Sequence, residues 1–96
     1  MIYEWDPKKA AANQRKHDIS FDDAASVFLD PLALTFADSD HSIAEQRGVT
    51  IGHTRRQQVV FVAHCQRGNR VRLISARRAT PRERRQYEEG NTEDGG

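Results

Sequence analysis

The chain has 96 residues, a mean hydropathy of −0.82 and a formal net charge of +1 at pH 7. This length allows one domain with a modest core, and the longest apolar run, 59–63, is far shorter than the roughly 18–20 residues that span a membrane. The N-terminus lacks the basic-then-apolar order of a signal peptide. A single cysteine, Cys65, excludes an internal disulfide, so a cytoplasmic location is expected.

The small net charge conceals two oppositely charged segments. Residues 18–46 contain seven acids and no Lys or Arg, whereas residues 70–87 contain seven of the twelve arginines and one acid, Glu83. Guanidinium groups bind phosphate oxygens in pairs, so an arginine-rich segment without lysine favours recognition of a polyanion such as RNA or DNA. A solvated surface without a ligand would have the same composition, and both interpretations stay open at this point.

The first third of the chain predicts a short strand and two helices. Residues 2–5 have strand character, and Asp6-Pro7 is typical of an N-cap followed by proline in the first helical turn. This helix is predicted to end near Lys16. Ser20 is the predicted N-cap of the second helix, because apolar residues recur after it at helical spacing as far as Asp30-Pro31.

From residue 32 onward the apolar spacing changes to the alternation that is typical of strands. The predicted strands cover residues 32–37, 45–53, 58–64 and 70–76. The third of them is apolar on both faces, so we expect it at the centre of the sheet. Residues 38–44 form a predicted polar loop, and residues 67–69 a hairpin turn.

The C-terminal segment predicts one more helix, over residues 80–88. Thr80-Pro81 has the composition of a helix start, and Glu83 follows Thr80 at capping-box spacing. Two helices, an antiparallel sheet of about four strands and a final helix indicate an α+β domain over residues 1–89. Residues 90–96 are expected to form a flexible acidic tail.

Four segments carry a resemblance to a known family: WDPKKAAANQRKHDISFDDAASVFLDP, EQRGVTIGH, VVFVAH and VRLISARRATPRERRQYE. In this order and spacing they resemble the BrnT ribonuclease toxins of bacterial type II toxin–antitoxin systems. The resemblance extends from about Trp5 to Glu88. Gly48, in a predicted strand, and the loop 38–44 depart most from the family pattern.

The resemblance implies a RelE-like fold and a metal-independent endoribonuclease, without a cofactor, that inhibits translation and growth. It also implies a BrnA-like antitoxin that neutralises the toxin in a hetero-oligomer and binds the operator of the two genes. The residues themselves predict no metal site, because the four histidines and Cys65 show no pair at ligand spacing.

RNA cleavage without a metal can use the 2′-hydroxyl of the substrate as nucleophile, and then needs a base, an acid and cations around the phosphorane. Arg72 and Arg77 are the predicted phosphate contacts, and Arg47 on a neighbouring strand is a third. His64 ends the central strand beside the arginine-bearing strand, so it is predicted to reach the same surface and transfer protons. Each of these residues also has a structural alternative, as a packed arginine stem or a histidine that binds a carbonyl.

The C-terminal helix supplies two further candidates for catalysis. Glu83 either transfers a proton or only completes the Thr80 capping box. Tyr87 is four residues later on the same helical face and either joins the site or packs against the sheet. Further RNA contacts are predicted at Lys16, His17 and Arg78, although His17 could instead bind the C-terminal carbonyls of the first helix.

The alternative function is a non-catalytic module that binds nucleic acid or a protein through the same arginine-rich surface. A nucleic-acid-binding module would bind RNA without cutting it.

Overall fold

A five-stranded sheet with helices on both sides forms the domain in the computed structural model, which describes residues 1–38 and 46–90. The elements, in chain order, are strand β1 (Ile2–Glu4), helices α1 (Pro7–His17) and α2 (Phe21–Ala25), a 3-10 turn (Ser26–Leu29), strands β2 (Leu34–Ala37), β3 (Gln46–His53), β4 (Val59–Arg67) and β5 (Arg70–Arg78), and helix α3 (Pro81–Gly90). The α+β class, the three helices and the number of long strands agree with the sequence prediction.

The sheet has the strand order β1-β5-β4-β3-β2, which confirms β4 as the central strand. The prediction of about four antiparallel strands is wrong in one respect, because β1 forms a fifth strand that runs parallel to β5. The other neighbours are antiparallel. The predicted second helix is α-helical only as far as Ala25 and then tightens into the 3-10 turn. Apart from Asp38 and Gly90, the predicted loop 38–44 and tail 90–96 lie outside the described residues.

The first two helices begin where their capping residues predict. The Asp6 carboxylate accepts a hydrogen bond from the Lys8 amide at 2.8 Å, and the Ser20 hydroxyl accepts one from the Asp23 amide at 3.0 Å. Helix α1 ends at His17, and the residue that caps it, Asp18, has a left-handed φ of 57°. These caps fix how α1 and α2 approach the sheet.

One face of the sheet, the core face, packs against α1 and α2. Its side chains come mainly from β4 and β5 and meet apolar residues of α2 and of the segment before it. The buried residues of this core are Ile19, Phe21, Ala24, Val27, Val60, Val62, Val71, Leu73 and Ala76. Burial of these side chains is the main favourable contribution to folding.

Strand β5 contains a β-bulge in the middle of its pairing with β4. Ala63 pairs with Ser75, but the next β4 residue, His64, pairs with Leu73, so Ile74 is an extra residue on β5. The bulge shifts the alternation by one residue. Leu73 and Ala76 therefore both point into the core, although they are three residues apart.

A buried asparagine binds the β5 backbone directly after the bulge. The Asn13 amide nitrogen donates to the carbonyls of Ile19 and Ala76 at 3.0 and 2.9 Å, and its oxygen accepts from the Ala76 amide at 3.0 Å. β1 pairs only with residues 70–72, so it does not reach this edge of Ala76. The Asn13 side chain therefore satisfies backbone groups that a longer β1 would have bound.

His64 also lies on the core face, where it is 8% exposed. Its Nε2 lies 2.8 Å from the Thr50 hydroxyl, and its ring meets the edge of Phe28. A Cβ added to Gly48 would lie 3.1 Å from both His64 Cε1 and the Phe36 carbonyl oxygen. Glycine at this strand position thus makes room for the imidazole.

Replacement of Asn13 by alanine should lower the free energy of unfolding by about 2–4 kcal/mol, because buried backbone groups of Ile19 and Ala76 lose their partners. Urea unfolding measures the change. The adjacent and exposed Gln14→Ala is the control, with an expected change within about 0.5 kcal/mol. Equal stability of the Asn13 variant and the wild type would show that this amide does not hold α1 to β5.

Burial lowers the pKa of His64 below its ordinary value. The unfolded chain then binds a proton more readily than the folded one. The contribution of neutral His64 to the free energy of unfolding is therefore present above about pH 6.5, and it is lost as the pH falls towards the lower pKa of the folded state. We expect His64→Gln to flatten the loss of stability between about pH 7 and pH 5, as measured by urea unfolding at each pH. Parallel pH profiles for the two proteins would contradict this prediction.

Candidate active site

The opposite face of the sheet, named here the arginine face, carries five arginines. The pairing register places Arg47 beside Cys65 and Cys65 beside Arg72, which puts these side chains in one row. Within residues 1–38 and 46–90, the strand arginines on this face are Arg47, Arg67, Arg70, Arg72 and Arg77. A row of guanidinium groups on one side of a sheet is an electrostatic match for a polyanion.

The bulge in β5 is what places Arg72 and Arg77 on the same face. They are five positions apart in the sequence, an odd number, so regular alternation would point them to opposite faces. Across the bulge, Arg72 pairs with Cys65 and Arg77 pairs with Phe61, and these two β4 residues share a face. Both arginines therefore point away from the core.

Helix α3 crosses one end of the arginine face and holds Arg77 in position. The Arg77 Nη1 and Nη2 atoms donate to the two Glu83 oxygens at 2.8 and 2.9 Å. The guanidinium carbon lies 4.0 Å above the centroid of the Phe61 ring. The hydrogen bonds to Glu83 raise the pKa of Arg77, so this group is a permanent cation.

The remaining donors of Arg77 form a second binding edge. A guanidinium has five N–H groups; two donate to Glu83 and a third, on Nη1, donates to the Arg78 carbonyl at 3.2 Å. Two N–H groups remain, the Nε–H and one Nη2–H, and they lie side by side. This edge matches two oxygens of a phosphate.

The floor between Arg72 and Arg77 is made of small side chains. Ala63 and Ser75 pair with each other at the bulge, midway between the two arginines. The pairing partners of the two arginines are four positions apart on β4, so the strand rise places the arginine Cα atoms roughly 14 Å apart. Two long side chains over that distance can converge on one phosphate.

Glu83 has the capping-box geometry that the sequence predicts. Its amide donates to the Thr80 hydroxyl at 3.2 Å, and its Oε1 accepts from the Thr80 amide at 2.9 Å. With the two bonds from Arg77, both carboxylate oxygens are occupied. The hydrogen bonds from Arg77 lower the pKa of Glu83, followed by those from Thr80.

Tyr87 lies beneath α3, against Ile51 and Val59, and is 3% exposed. Its hydroxyl donates to Asp30 at 2.7 Å and lies 2.6 Å from His53 Nδ1. Burial raises the pKa of Tyr87, and the Asp30 carboxylate raises it further. The phenol thus anchors α3 to the sheet, which is the packing alternative that its sequence position left open.

The anchor of Tyr87 also includes His53, which the sequence does not single out as a site residue. His53 is the last residue of β3, and its amide donates to the Asp30 carboxylate at 2.9 Å. A phenol has one proton, and Asp30 accepts it, so the His53 Nδ1–H donates to the Tyr87 oxygen. Only the pairing of β3 with β4 reveals this position, and no local sequence signal marks it.

Four predicted site residues lie away from the arginine face. The prediction that His64 reaches the same surface as the arginines is wrong, because its ring is buried on the core face with Thr50 and Phe28. Arg78 pairs with Val60, a core-face residue. Lys16 and His17 end α1, which packs against the core face. These residues are not brought together with Arg72 and Arg77.

Sequence reasoning missed one residue that the structure places beside Arg72. Glu4 pairs with Arg72 in the parallel register of β1 and β5. Its neighbour Tyr3 stacks on Phe28 at the core face, so Glu4 points to the arginine face. The sequence shows that residues 2–5 form a strand, but not which strand they pair with.

Among residues 1–38 and 46–90, no three His, Cys, Asp or Glu side chains are grouped as ligands of a metal ion. Within these ranges there is also no helix with the length and apolar character to cross a bilayer.

Comparison with known proteins identifies the family. Residues 5–83 match the family model described as the ribonuclease toxin BrnT of type II toxin–antitoxin systems. The 1.1 Å crystal structure of the Brucella abortus ribonuclease toxin BrnT has a TM-score of 0.63 and 24% sequence identity, covering 83% of this chain and 99% of that chain, which shows a shared fold. No curated protein matches the sequence. The chain belongs to the BrnT family of ribonuclease toxins of type II toxin–antitoxin systems.

Proposed function

We propose that this toxin is a metal-independent endoribonuclease that uses the 2′-hydroxyl of its RNA substrate as the nucleophile. The observation that carries the proposal is the Arg77 guanidinium, fixed by Glu83 on one edge and open on the other, on the same face as Arg72. A fixed cation with an open fork stabilises the charge that develops on a phosphorane without a reorganisation cost.

In this proposal Arg72 and Arg77 bind the scissile phosphate between them, above the floor of Ala63 and Ser75. Arg47, in the same row as Arg72, contacts a neighbouring phosphate. Attack of the 2′-oxygen then yields a 2′,3′-cyclic phosphate and a 5′-hydroxyl end. Binding by two arginines that are fixed to one sheet also aligns the RNA for attack.

The residues of α3 act indirectly in this proposal. Glu83 positions Arg77 through two parallel hydrogen bonds, and it accepts a third hydrogen bond from the Thr80 amide. Tyr87 holds the far end of the helix on the sheet through Asp30. We assign no proton transfer to Glu83, Tyr87 or His64, because their polar atoms are occupied or buried away from the arginine face.

The family implies an antitoxin as protein partner. We propose a BrnA-like antitoxin that covers the arginine face with acidic side chains, in a cytoplasmic hetero-oligomer that binds its operator through the antitoxin. Inhibition of translation and growth would follow from RNA cleavage by the free toxin. The second candidate function is a non-catalytic binding module, which would bind its partner through the same cationic surface.

The purified toxin should cleave single-stranded RNA in the presence of EDTA. The products should carry 2′,3′-cyclic phosphate and 5′-hydroxyl ends, because the 2′-hydroxyl is the proposed nucleophile. Gel analysis with enzymatic end-labelling identifies the ends. Intact RNA that is nevertheless bound at micromolar protein would favour the non-catalytic module, and cleavage that requires added Mg²⁺ would contradict metal independence.

Arg72→Ala and Arg77→Ala should each reduce the cleavage rate by about 100-fold or more, because each removes a donor to the transition state. Arg77→Lys should not restore activity, since an ammonium lacks the second fork edge. Arg15→Ala, which removes an exposed arginine of α1, is the matched control and should cleave at close to the wild-type rate. Wild-type cleavage by folded Arg72→Ala and Arg77→Ala would exclude both residues from the site.

A further inference from the structure

We propose that Glu4 is the general base that removes the proton from the 2′-hydroxyl of the RNA. This inference rests on the proposed function, since it adds a proton-transfer residue to the site formed by Arg72 and Arg77. It gives a role to the N-terminal strand. The family match begins at residue 5, after Glu4, and the arginine pattern does not assign this role either.

The reaction needs a base, and the candidates from the sequence do not supply one on the arginine face. The Glu83 oxygens accept hydrogen bonds from Arg77 and from the Thr80 amide. The Tyr87 hydroxyl donates to Asp30 beneath α3. His64 lies on the core face. Within the described part of this face, Glu4 is a carboxylate that none of these constraints affects.

Glu4 combines an open carboxylate with a position next to a phosphate-binding arginine. Its Cα pairs with that of Arg72. The preceding residue, Tyr3, stacks on Phe28 with the ring centroids 5.0 Å apart, which holds the strand in place. The Glu4 side chain is 33% exposed. Its described polar neighbour, Arg70, has Nη1 at 4.0 Å from Oε1, which is beyond hydrogen-bond distance. The lone pairs of both oxygens can therefore accept a proton.

The proposed step balances with water as the only co-reactant. The 2′-hydroxyl proton passes to the Glu4 carboxylate as the bond between the 2′-oxygen and phosphorus forms, and the bond from phosphorus to the 5′-oxygen breaks. The departing 5′-oxygen takes a proton from water. Glu4 then returns its proton to the hydroxide so produced, which restores the carboxylate. Arg72 and Arg77 bind the phosphorane charge throughout.

The first test compares Glu4→Gln with the wild type on the RNA that the wild type cleaves. We expect kcat to fall about 100-fold or more with KM changed less than about threefold, because the amide keeps the shape but cannot accept the proton. Asp22→Asn, a neutralised exposed acid of α2, is the matched control with wild-type kinetics. Glu4→Asp keeps the base on a shorter side chain and should recover part of the rate.

The second test separates a base from an acid. An RNA oligonucleotide with a bridging 5′-sulfur at the mapped cleavage site has a leaving group that departs without a proton. If Glu4 is the base, Glu4→Gln should be as defective on this substrate as on normal RNA. Recovery of the wild-type rate on the sulfur substrate would overturn the assignment of Glu4 as the base.

The outcomes also distinguish this inference from the proposed function. A wild-type toxin that does not cleave RNA in EDTA would remove the proposed function and the role of Glu4 together. If the wild type cleaves RNA and Glu4→Gln cleaves it at a rate within about threefold of the wild-type rate, only the role of Glu4 is removed. Thermal unfolding of each variant shows whether it is folded; if Glu4→Gln does not fold, a kcat within about threefold of the wild type in folded Glu4→Ala overturns the inference.

Discussion

The bulge in β5 is the constraint on which the rest of the site depends. An extra residue at Ile74 keeps Leu73 and Ala76 in the core and at the same time turns Arg72 and Arg77 to the opposite face. Without it, one of the two arginines would point into the packing of α1 and α2, at the cost of a buried charge. The same distortion therefore keeps the core apolar and places both arginines on one face, and bulges often change the direction of side chains in this way.

The two faces of the sheet differ in composition: one packs in the core, and the other carries the arginines. The core face buries its aliphatic side chains against α1 and α2, and Asn13 closes the edge of β5 next to the bulge. The arginine face is covered by α3 at one end, where Tyr87 packs on Ile51 and Val59. The row of arginines on that face concentrates positive charge, and a bound polyanion would reduce the repulsion within the row.

Local signals predict much of this fold, and long-range pairing accounts for what they miss. Capping chemistry at Asp6, Ser20 and Thr80 places all three helix starts, because a cap depends on residues within one turn. The parallel pairing of Glu4 with Arg72 joins segments almost a whole chain apart, so no local pattern encodes it. The face of His64 is likewise set by its cross-strand contacts: its place at the end of the apolar strand suggested the arginine surface, whereas Thr50 and Phe28 hold it in the core.

The two central arginines differ in how function and stability are combined. Arg77 is tied to the start of α3, because Glu83 binds its guanidinium and the Thr80 amide together. Loss of Arg77 would leave the Glu83 carboxylate half-buried without its cation, so activity and helix docking would change together. Arg72 has no carboxylate within ion-pair distance among the described residues, and its strand is paired on both sides. A loss of activity at Arg72 with unchanged stability is therefore the more direct measure of what this face contributes to catalysis.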